Sequence, residues 1–403
     1  MEEISKSKYY VTLLVLAILL IGATLRSPIS SIGPLVPFFR EDLGITNATV
    51  GFLNTLPLLA FGLFSPFIPK ISSKLGMEVT LLLSMAVLFM GVTLRAVDGV
   101  YMLVFGTLLV GLSIAVGNVL SPGLIKSTFP FKVGLMTGLY SVSMNLVSAL
   151  SAGLSVSIAL SPGYDWRFAM QIWGIIPALA VIVLLLRLPG IITTRKKVFA
   201  KIDARPGKGL LKSKLAWAVT LFMGLQSLIA YSLFAWLPII LTTKGFTESE
   251  AGWLMTTYQL ALLPIAFLAP IVASKMENQS RLAFISGMMF FVGLLGVSLI
   301  SSSYWVVPFL IIIGIGAGTT FSLAMIFFVM RTGTVEQSSQ LSAMAQSIGY
   351  LIAAAGPLFL GTLSEFANGW AIPLIVLMSV AVMVALLGLY AGRPEKIDFE
   401  EAN

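Results

Sequence analysis

The sequence predicts an all-α membrane protein in which twelve transmembrane helices form two pseudo-symmetric bundles of six. Three observations predict this fold class. The 403 residues are 58% hydrophobic and only 10% charged, with a mean hydropathy of +0.98, whereas soluble domains are about 45–50% apolar and about 25% charged. Twelve apolar stretches are long enough to cross a bilayer, and the first two of them recur near the middle of the chain.

Each predicted span is a stretch of about 20 apolar residues, enough to cross a bilayer core of about 30 Å, between charged or turn-forming residues. The first stretch is much longer than the apolar core of a cleavable signal, about 7–15 residues, so we expect it to be retained. The predicted spans are Tyr9–Phe39, Thr49–Pro69, Val79–Val97, Val100–Leu120, Val133–Leu160, Trp166–Leu188, Leu215–Leu241, Ala251–Ala273, Leu282–Ser301, Tyr304–Met330, Gln337–Phe366 and Trp370–Ala391.

The distribution of the 25 Lys and Arg residues predicts the orientation, because positively charged loops are retained on the cytoplasmic side. With both termini in the cytoplasm, 20 of them fall inside, four fall outside (Arg40, Arg95, Arg167 and Lys244), and Arg26 lies within a span. We expect a first bundle over residues 1–190, a basic cytoplasmic linker over 191–213, a second bundle over 214–392 and a cytoplasmic tail over 393–403. The charge of the linker is expected to reflect topology and contact with lipid headgroups rather than nucleic-acid binding.

An internal repeat relates the two halves. An offset of 201 residues gives eleven identities over the 38 positions from Pro37 to Lys74, including Pro37 with Pro238 and Gly44 with Gly245. Unrelated sequences would give about three. Two parallel six-helix halves are typical of carriers that hold a substrate near the middle of the membrane and expose it to each side in turn. Both halves are therefore expected to contribute polar groups to the site.

Several Gly and Pro residues within the predicted spans could permit the bends that such a movement needs. The alternative is that they only allow close packing of helices. These residues are Gly22, Pro28, Gly33, Pro34, Pro57, Pro238 and Pro264.

Arg26 is the one charge that the sequence places deep within a span, about three turns from either boundary. A charge at the bilayer centre costs at least about 2.5–3.5 kcal/mol, so such a residue usually faces a cavity and has a function. All 17 Asp and Glu residues lie in tails, in loops or near span ends. We interpret Arg26 as the partner of a small or planar anion, held by charge-assisted hydrogen bonds. A structural role with helix carbonyls or polar side chains is the alternative.

Other polar residues within the spans are candidates to complete a substrate site. Ser30 lies one turn beyond Arg26 on the same helix face. Ser227 lies 201 residues after Arg26, at the equivalent position of the repeat. The further candidates, each of which could equally make a hydrogen bond between helices, are Asn118, Gln226, Tyr231 and Tyr350.

The composition also excludes several classes of mechanism. Cysteine and histidine are absent, which removes disulfides, thiolate or imidazole metal sites and a histidine proton relay. The sequence has no buried acid pair, Ser–His set or nucleotide-binding Gly–Lys motif. We therefore expect no enzyme activity, cofactor or metal. Separately, the protein is expected to work as a monomer. A receptor or scaffold would need a soluble domain, for which the loops and tails are too short. Facilitated diffusion, anion exchange and cotransport with a substrate-borne proton all stay open.

Four motifs point to a known family. They are TLRSPISSIGPLVP over residues 24–37, DWRF over 165–168, MGLQSLIAYSLFAWLP over 223–238 and AGWL over 251–254. Together they resemble the cyanate and 2-nitroimidazole transporter-like (CynX/NimT) branch of the major facilitator superfamily. The resemblance spans essentially the whole chain.

This resemblance implies a twelve-helix carrier of the bacterial inner membrane that moves a small monovalent anion such as cyanate. The alternative that it implies is an efflux carrier for small neutral or amphipathic drugs such as nitroimidazoles. The superfamily pattern Gly-x-x-x-Asp-Arg-x-Gly-Arg-Lys between the second and third helices is incomplete here. Residues 69–78 read PKISSKLGME, so we expect the charge lock that this loop forms in the family to be weakened or replaced.

Overall fold

The computed structural model describes residues 2–45, 47–198, 208–300 and 305–398, and its regular elements are all helices. Twelve of the described helical segments are long and apolar enough to cross a membrane. The prediction of an all-α chain with twelve spans is therefore confirmed.

Seventeen α-helices and two short 3-10 turns, Ser65–Phe67 and Ile172–Gly174, make up the described structure. The α-helices are α1 (Glu2–Thr24), α2 (Ser27–Ser30), α3 (Ile32–Leu43), α4 (Asn47–Phe64), α5 (Ile68–Leu75), α6 (Met77–Arg95), α7 (Val100–Thr128), α8 (Val133–Ala159), α9 (Trp166–Gln171), α10 (Ile175–Val198), α11 (Lys208–Lys212), α12 (Lys214–Thr243), α13 (Glu248–Lys275), α14 (Ser280–Leu299), α15 (Val306–Met330), α16 (Val335–Phe366) and α17 (Ala371–Ala391).

We number the twelve spans in chain order. They are Tyr9–Val36, Thr55–Leu75, Met77–Arg95, Val100–Thr128, Val133–Ala159, Trp166–Arg187, Lys214–Thr243, Glu250–Lys275, Ser280–Leu299, Val306–Met330, Val335–Phe366 and Ala371–Ala391.

The chain folds into two compact units. The first unit comprises Met1–Ile125 and Leu139–Arg205, and the second comprises Lys126–Gly138 and Pro206–Asn403. The ends of spans 4 and 5 that adjoin their connecting loop therefore group with the second unit. The expected bounds of the two bundles stay a prediction.

The expected linker and tail are described only in part. Helix α10 continues to Val198 and α11 covers Lys208–Lys212, while residues 199–207 of the expected linker lie outside the described residues. The same holds for residues 399–403 of the expected tail. A backbone hydrogen bond of 2.8 Å from Ile397 N–H to the Arg331 carbonyl attaches the described part of the tail to the second unit.

The DWRF motif secures one end of the first unit. Asp165 caps α9 by accepting a hydrogen bond of 3.0 Å from the Phe168 N–H. The Arg167 guanidinium lies 2.8 Å from the Asp42 carboxylate and also pairs with Asp98. The Trp166 indole donates to the same Asp42 carboxylate at 3.2 Å. This motif therefore joins the ends of three segments that are far apart in sequence.

An arginine in each unit ties together helix ends that we expect to be cytoplasmic. In the first unit, Arg187 makes a bidentate pair with Glu78, with N–O distances of 2.8 and 3.0 Å, and donates to the Tyr10 carbonyl. This pair lies beside the loop in which the family's charged pattern is incomplete. In the second unit, Arg331 donates to the Gln279 side chain and to carbonyl oxygens. Burial lowers the pKa of Arg331 to about 10, so its guanidinium stays charged at neutral pH.

Candidate functional site

Span 1 is not one continuous helix. Helix α1 ends at Thr24, α2 covers Ser27–Ser30, and α3 begins at Ile32. Arg26 lies at the break, where it is the residue before α2 and has a backbone φ of −124°. The break therefore places the Arg26 side chain at a point where the helix direction can change.

Proline explains why the chain breaks there. Pro28 and Pro34 have no N–H group, so the carbonyls of Thr24 and Ser30, four residues earlier, lose their usual helical donors. A proline in a helix interior also crowds the carbonyl four residues before it, which kinks the helix. Two prolines six residues apart thus turn one long apolar segment into three shorter helices.

Side chains of span 5 contact the residues at the break in span 1. Arg26 Nη1 donates to Asn145 Oδ1 at 2.9 Å, while Asn145 Nδ2 donates to the Ser141 carbonyl at 2.7 Å. The second bond fixes the amide so that its oxygen faces the guanidinium. One turn further, the hydroxyls of Ser30 and Ser148 lie 2.5 Å apart. The two residues predicted to share a helix face therefore both contact span 5.

Asn118, the third predicted residue of this unit, also contacts span 5. It is buried, and its Oδ1 accepts a long hydrogen bond of 3.5 Å from the Tyr140 hydroxyl. Tyr140 is itself fully buried. Arg26, Ser30 and Asn118 thus each contact a side chain of span 5.

The predicted residues of the second unit form two separate pairs. Gln226 and Ser227 are buried, and Gln226 Nε2 donates to the Ser227 hydroxyl at 2.7 Å and to the Met223 carbonyl at 3.1 Å. Tyr231 and Tyr350 meet edge to face, with ring centroids 6.4 Å apart. The described contacts of Gln226 and Ser227 are made within span 7, so their role in a substrate site stays a prediction.

Asn145 and Ser148 are not among the site residues that we selected from the sequence, although Asn145 is one of the polar residues within the spans of which some are expected to line the cavity. A polar stripe could have identified them, because Ser141, Asn145, Ser148, Ser151 and Ser155 follow one another at spacings of four and three residues. That spacing places them along one face of a helix. Such a face is more informative than any one polar residue.

Arg26 is the one charge that the sequence places deep within a span, but two other arginines of the described residues are buried more fully. Arg26 is half-buried, whereas Arg95, the last residue of span 3, is 1% exposed and Arg331 is 2% exposed. Arg95 Nη1 donates to the Pro28 carbonyl at 2.7 Å. Position near a span end does not determine exposure, because a long arginine side chain can fold back along the protein to reach an acceptor.

Comparison with known proteins identifies the family. The model of the Major Facilitator Superfamily matches residues 13–357. The chain is 38% identical over 384 residues to an uncharacterized transporter, YycB, of Bacillus subtilis (strain 168), covering 95% of this chain and 94% of that protein. It is 35% identical over 384 residues to the 2-nitroimidazole transporter of Escherichia coli (strain K12), covering 95% and 96%. It is 23% identical over 365 residues to the cyanate transport protein CynX of the same organism, covering 89% and 91%.

Solved structures agree on the fold. The proton:xylose symporter XylE matches with a TM-score of 0.74 at 13% identity, covering 96% of this chain and 97% of that one. FucP in its outward conformation matches with a TM-score of 0.73 at 12% identity, covering 95% and 99%. The resemblance that the sequence motifs indicate is confirmed by the relatives. The chain therefore belongs to the major facilitator superfamily and is a multi-pass membrane transporter similar to the CynX/NimT group, not an enzyme.

Proposed function

We propose that this transporter moves a small monovalent anion or weak acid of the cyanate type across the bacterial inner membrane. It acts as a monomer by alternating access, with both termini in the cytoplasm and lipid headgroups around its basic loops. The observation that carries the proposal is the Arg26 guanidinium at the break of span 1, oriented by the Asn145 amide.

The chemistry of this arrangement suits a small anion. The Asn145 oxygen is neutral, so the hydrogen bond from Arg26 orients the guanidinium without cancelling its charge. A guanidinium has five N–H donors in a planar fork, so it can hold Asn145 and a planar anion together. The hydroxyls of Ser30 and Ser148 lie one turn away and supply further hydrogen-bonding groups.

A second candidate is a carrier for nitroimidazoles. It is favoured by the 35% identity to the 2-nitroimidazole transporter, compared with 23% to CynX. A nitro group is planar and offers two acceptor oxygens, so it could meet the same guanidinium that we assign to an anion. The two candidates differ in the net charge of the substrate, and that difference can be tested.

Exchange of labelled substrate in liposomes tests the role of Arg26. With internal and external cyanate, nitrate or 2-nitroimidazole, we expect Arg26→Met to lower anion flux by about 10- to 100-fold, because a lost charged hydrogen bond is worth about 1.5–3 kcal/mol. Arg26→Lys should fall between, since it keeps the charge but not the planar fork. Arg40→Met, which removes an exposed arginine of the same unit, serves as the control. Unchanged anion flux in Arg26→Met would reject the anion proposal.

Asn145→Asp separates an anionic from a neutral substrate. The change keeps the size of the side chain but places a carboxylate 2.9 Å from Arg26 Nη1, where it would compete with an anion. It also removes the N–H group that donates to the Ser141 carbonyl. Anion exchange should then fall about as far as in Arg26→Met, while exchange of neutral 2-nitroimidazole should be affected less. Equal loss of both fluxes would instead show that Asn145 acts on the shape of the site rather than on its charge.

A further inference from the structure

Arg95 is a buried, charged residue that is not part of the anion site proposed above. It is the last residue of α6, is 1% exposed, and donates from Nη1 to the Pro28 carbonyl at 2.7 Å. Its Nε and Nη2 groups have no hydrogen-bond partner among the residues that the structure describes. Burial of an arginine with incomplete hydrogen bonding is costly, so the one side-chain hydrogen bond that the structure describes for Arg95 indicates its role.

That contact is made to the short helix that follows Arg26. Helix α2 has only four residues, Ser27–Ser30, and the last four carbonyls of a helix lack donors within it. The Pro28 carbonyl instead accepts from two side chains, Arg95 and the Ser31 hydroxyl at 3.3 Å. A side chain from span 3 thus replaces hydrogen bonds that a continuous helix would make for itself.

Packing between spans 3 and 4 brings Arg95 to this position. A Cβ atom added at Gly106 of span 4 would lie 2.7 Å from Arg95 Cγ and 2.6 Å from the Gly91 carbonyl oxygen. Only glycine at position 106 lets the two helices approach this closely and lets the stem of Arg95 cross the interface. The side chain is therefore held along its length as well as at its guanidinium.

We propose that Arg95 is a positioning residue of the anion site, which fixes α2 and thereby the directions of Arg26 and Ser30. Arg26 precedes α2, and Ser30 ends it, so a tether at Pro28 lies between the two residues that contact span 5. The inference rests on the proposed function and deepens it, because it names what holds the substrate-binding arginine in place.

The absence of cysteine makes the position of α2 measurable. The Ser30 and Ser148 hydroxyls are 2.5 Å apart, so the double variant Ser30→Cys/Ser148→Cys should form a disulfide, which requires closely placed Cβ atoms. The rate of its formation in liposomes under a mild oxidant, followed by gel shift after thiol alkylation, reports whether α2 faces span 5. This readout needs no substrate.

Arg95→Met in that cysteine background should slow disulfide formation by about tenfold or more, the factor expected for loss of a hydrogen bond from a charged donor. Arg95→Lys keeps a charged donor and should restore most of the rate. Arg40→Met, an exposed arginine of the same unit, should leave the rate unchanged. A rate in Arg95→Met equal to that with arginine would overturn the proposal, as would equal slowing by Arg40→Met.

If Arg95→Met does not yield monodisperse protein, Arg95→Gln provides the same test, because its shorter neutral side chain cannot replace the guanidinium. An unchanged rate in Arg95→Gln would overturn the proposal, and a slowed rate would support it.

Transport in the serine background separates this inference from the proposed function. Loss of anion flux in Arg26→Met with unchanged cross-linking in Arg95→Met would retain the anion site and reject Arg95 as its positioning residue. Slowed cross-linking in Arg95→Met, together with no anion flux in the unchanged protein, would support the role of Arg95 in fixing α2 and reject the anion site.

Discussion

Spans 1 and 7 occupy equivalent positions in the two repeats but differ in construction. Span 1 is broken into α1, α2 and α3, whereas span 7 lies within α12, a continuous helix of 30 residues. Arg26 and Pro28 of span 1 correspond to Ser227 and Ile229 of span 7, 201 residues later. Isoleucine supplies the N–H that proline lacks, so the helix continues. The repeat therefore supplies the architecture, and a few substitutions in one copy supply the charge and the break.

Spans 3 and 4 of the first unit also differ in charge from spans 9 and 10, which correspond to them in the second unit. In the first unit, Arg95 on span 3 packs against Gly106 on span 4. In the second unit, the residue 201 positions after Arg95 is Gly296 on span 9, and the Phe309 ring of span 10 packs directly against it. Each pair combines one large and one small residue, but only the first pair includes a cation. The comparison indicates that the charged groups of the proposed site belong to one unit.

The largest expected effect comes from moving the charge to the other repeat. Ser227 is 4% exposed and lies in an unbroken helix. Ser227→Arg should therefore destabilise the protein by at least about 2.5–3.5 kcal/mol, the cost of a charge placed at the centre of a membrane helix. The yield of monodisperse protein and its thermal midpoint in detergent measure this effect.

The double variant Arg26→Ser/Ser227→Arg makes that test sharper. If the two repeats were interchangeable at this position, the swap would restore anion exchange that Arg26→Ser alone removes. We expect no restoration, because span 7 has neither the break nor an equivalent of Arg95. Restored exchange at the level of the unchanged protein would break the comparison between spans 1 and 7.

A second pair of equivalent residues lies at the helix ends that we expect to be cytoplasmic. Glu78 and Gln279 are 201 positions apart, and each accepts hydrogen bonds from an arginine. The arginines come from different places, since Arg187 ends span 6 and Arg331 follows span 10. The Arg187 and Glu78 side chains are 12% and 20% exposed, whereas Arg331 is 2% exposed. The equivalent position thus holds the carboxylate of an ion pair in the first unit and a buried, neutral amide acceptor in the second.

Removal of each arginine should have unequal effects. Arg331→Met leaves the Gln279 oxygen and the carbonyls of Ala391 and Gly392 without this donor. Unsatisfied buried acceptors and a lost charged hydrogen-bond network predict a loss of about 2–4 kcal/mol. Arg187→Met should cost about 1–2 kcal/mol, because water can solvate the partly exposed Glu78 carboxylate. Thermal midpoints of the two variants measure the order, and an equal or reversed order would contradict the comparison.

The sequence predicts the spans better than it predicts their interior. Hydropathy is local, so it finds all twelve spans, although span 2 continues to Leu75 rather than ending near Pro69. The break in span 1 was expected only as a permitted bend at Pro28 and Pro34. No local signal states that two prolines end one helix and start another, because that depends on whether other side chains satisfy the freed carbonyls.

The candidate site shows the same limit. Helix periodicity places Arg26 and Ser30 on one face, and both contact span 5 in the structure. Their partners, Asn145 and Ser148, lie more than a hundred residues away, and only helix packing brings them together. Arg95 could not be recognised because an arginine near a span end can reach solvent or fold back into the protein. Which of these occurs depends here on a glycine in the next span.

The smallest expected effects come from exchanging the amide and the carboxylate between Glu78 and Gln279. Gln279→Glu would give Arg331 a charged acceptor, as in the first unit, but would remove the N–H groups that donate to the Ala273 and Met276 carbonyls. A carboxylate oxygen would then face carbonyl oxygens, so we expect a net loss of about 1–2 kcal/mol despite the new ion pair. Glu78→Gln should cost about 0.5–1.5 kcal/mol, because one of two hydrogen bonds to Arg187 is lost in a partly exposed site. A higher thermal midpoint in Gln279→Glu would show that acceptor charge outweighs the donor role of the amide, and that the two units differ at this position for a reason other than hydrogen bonding.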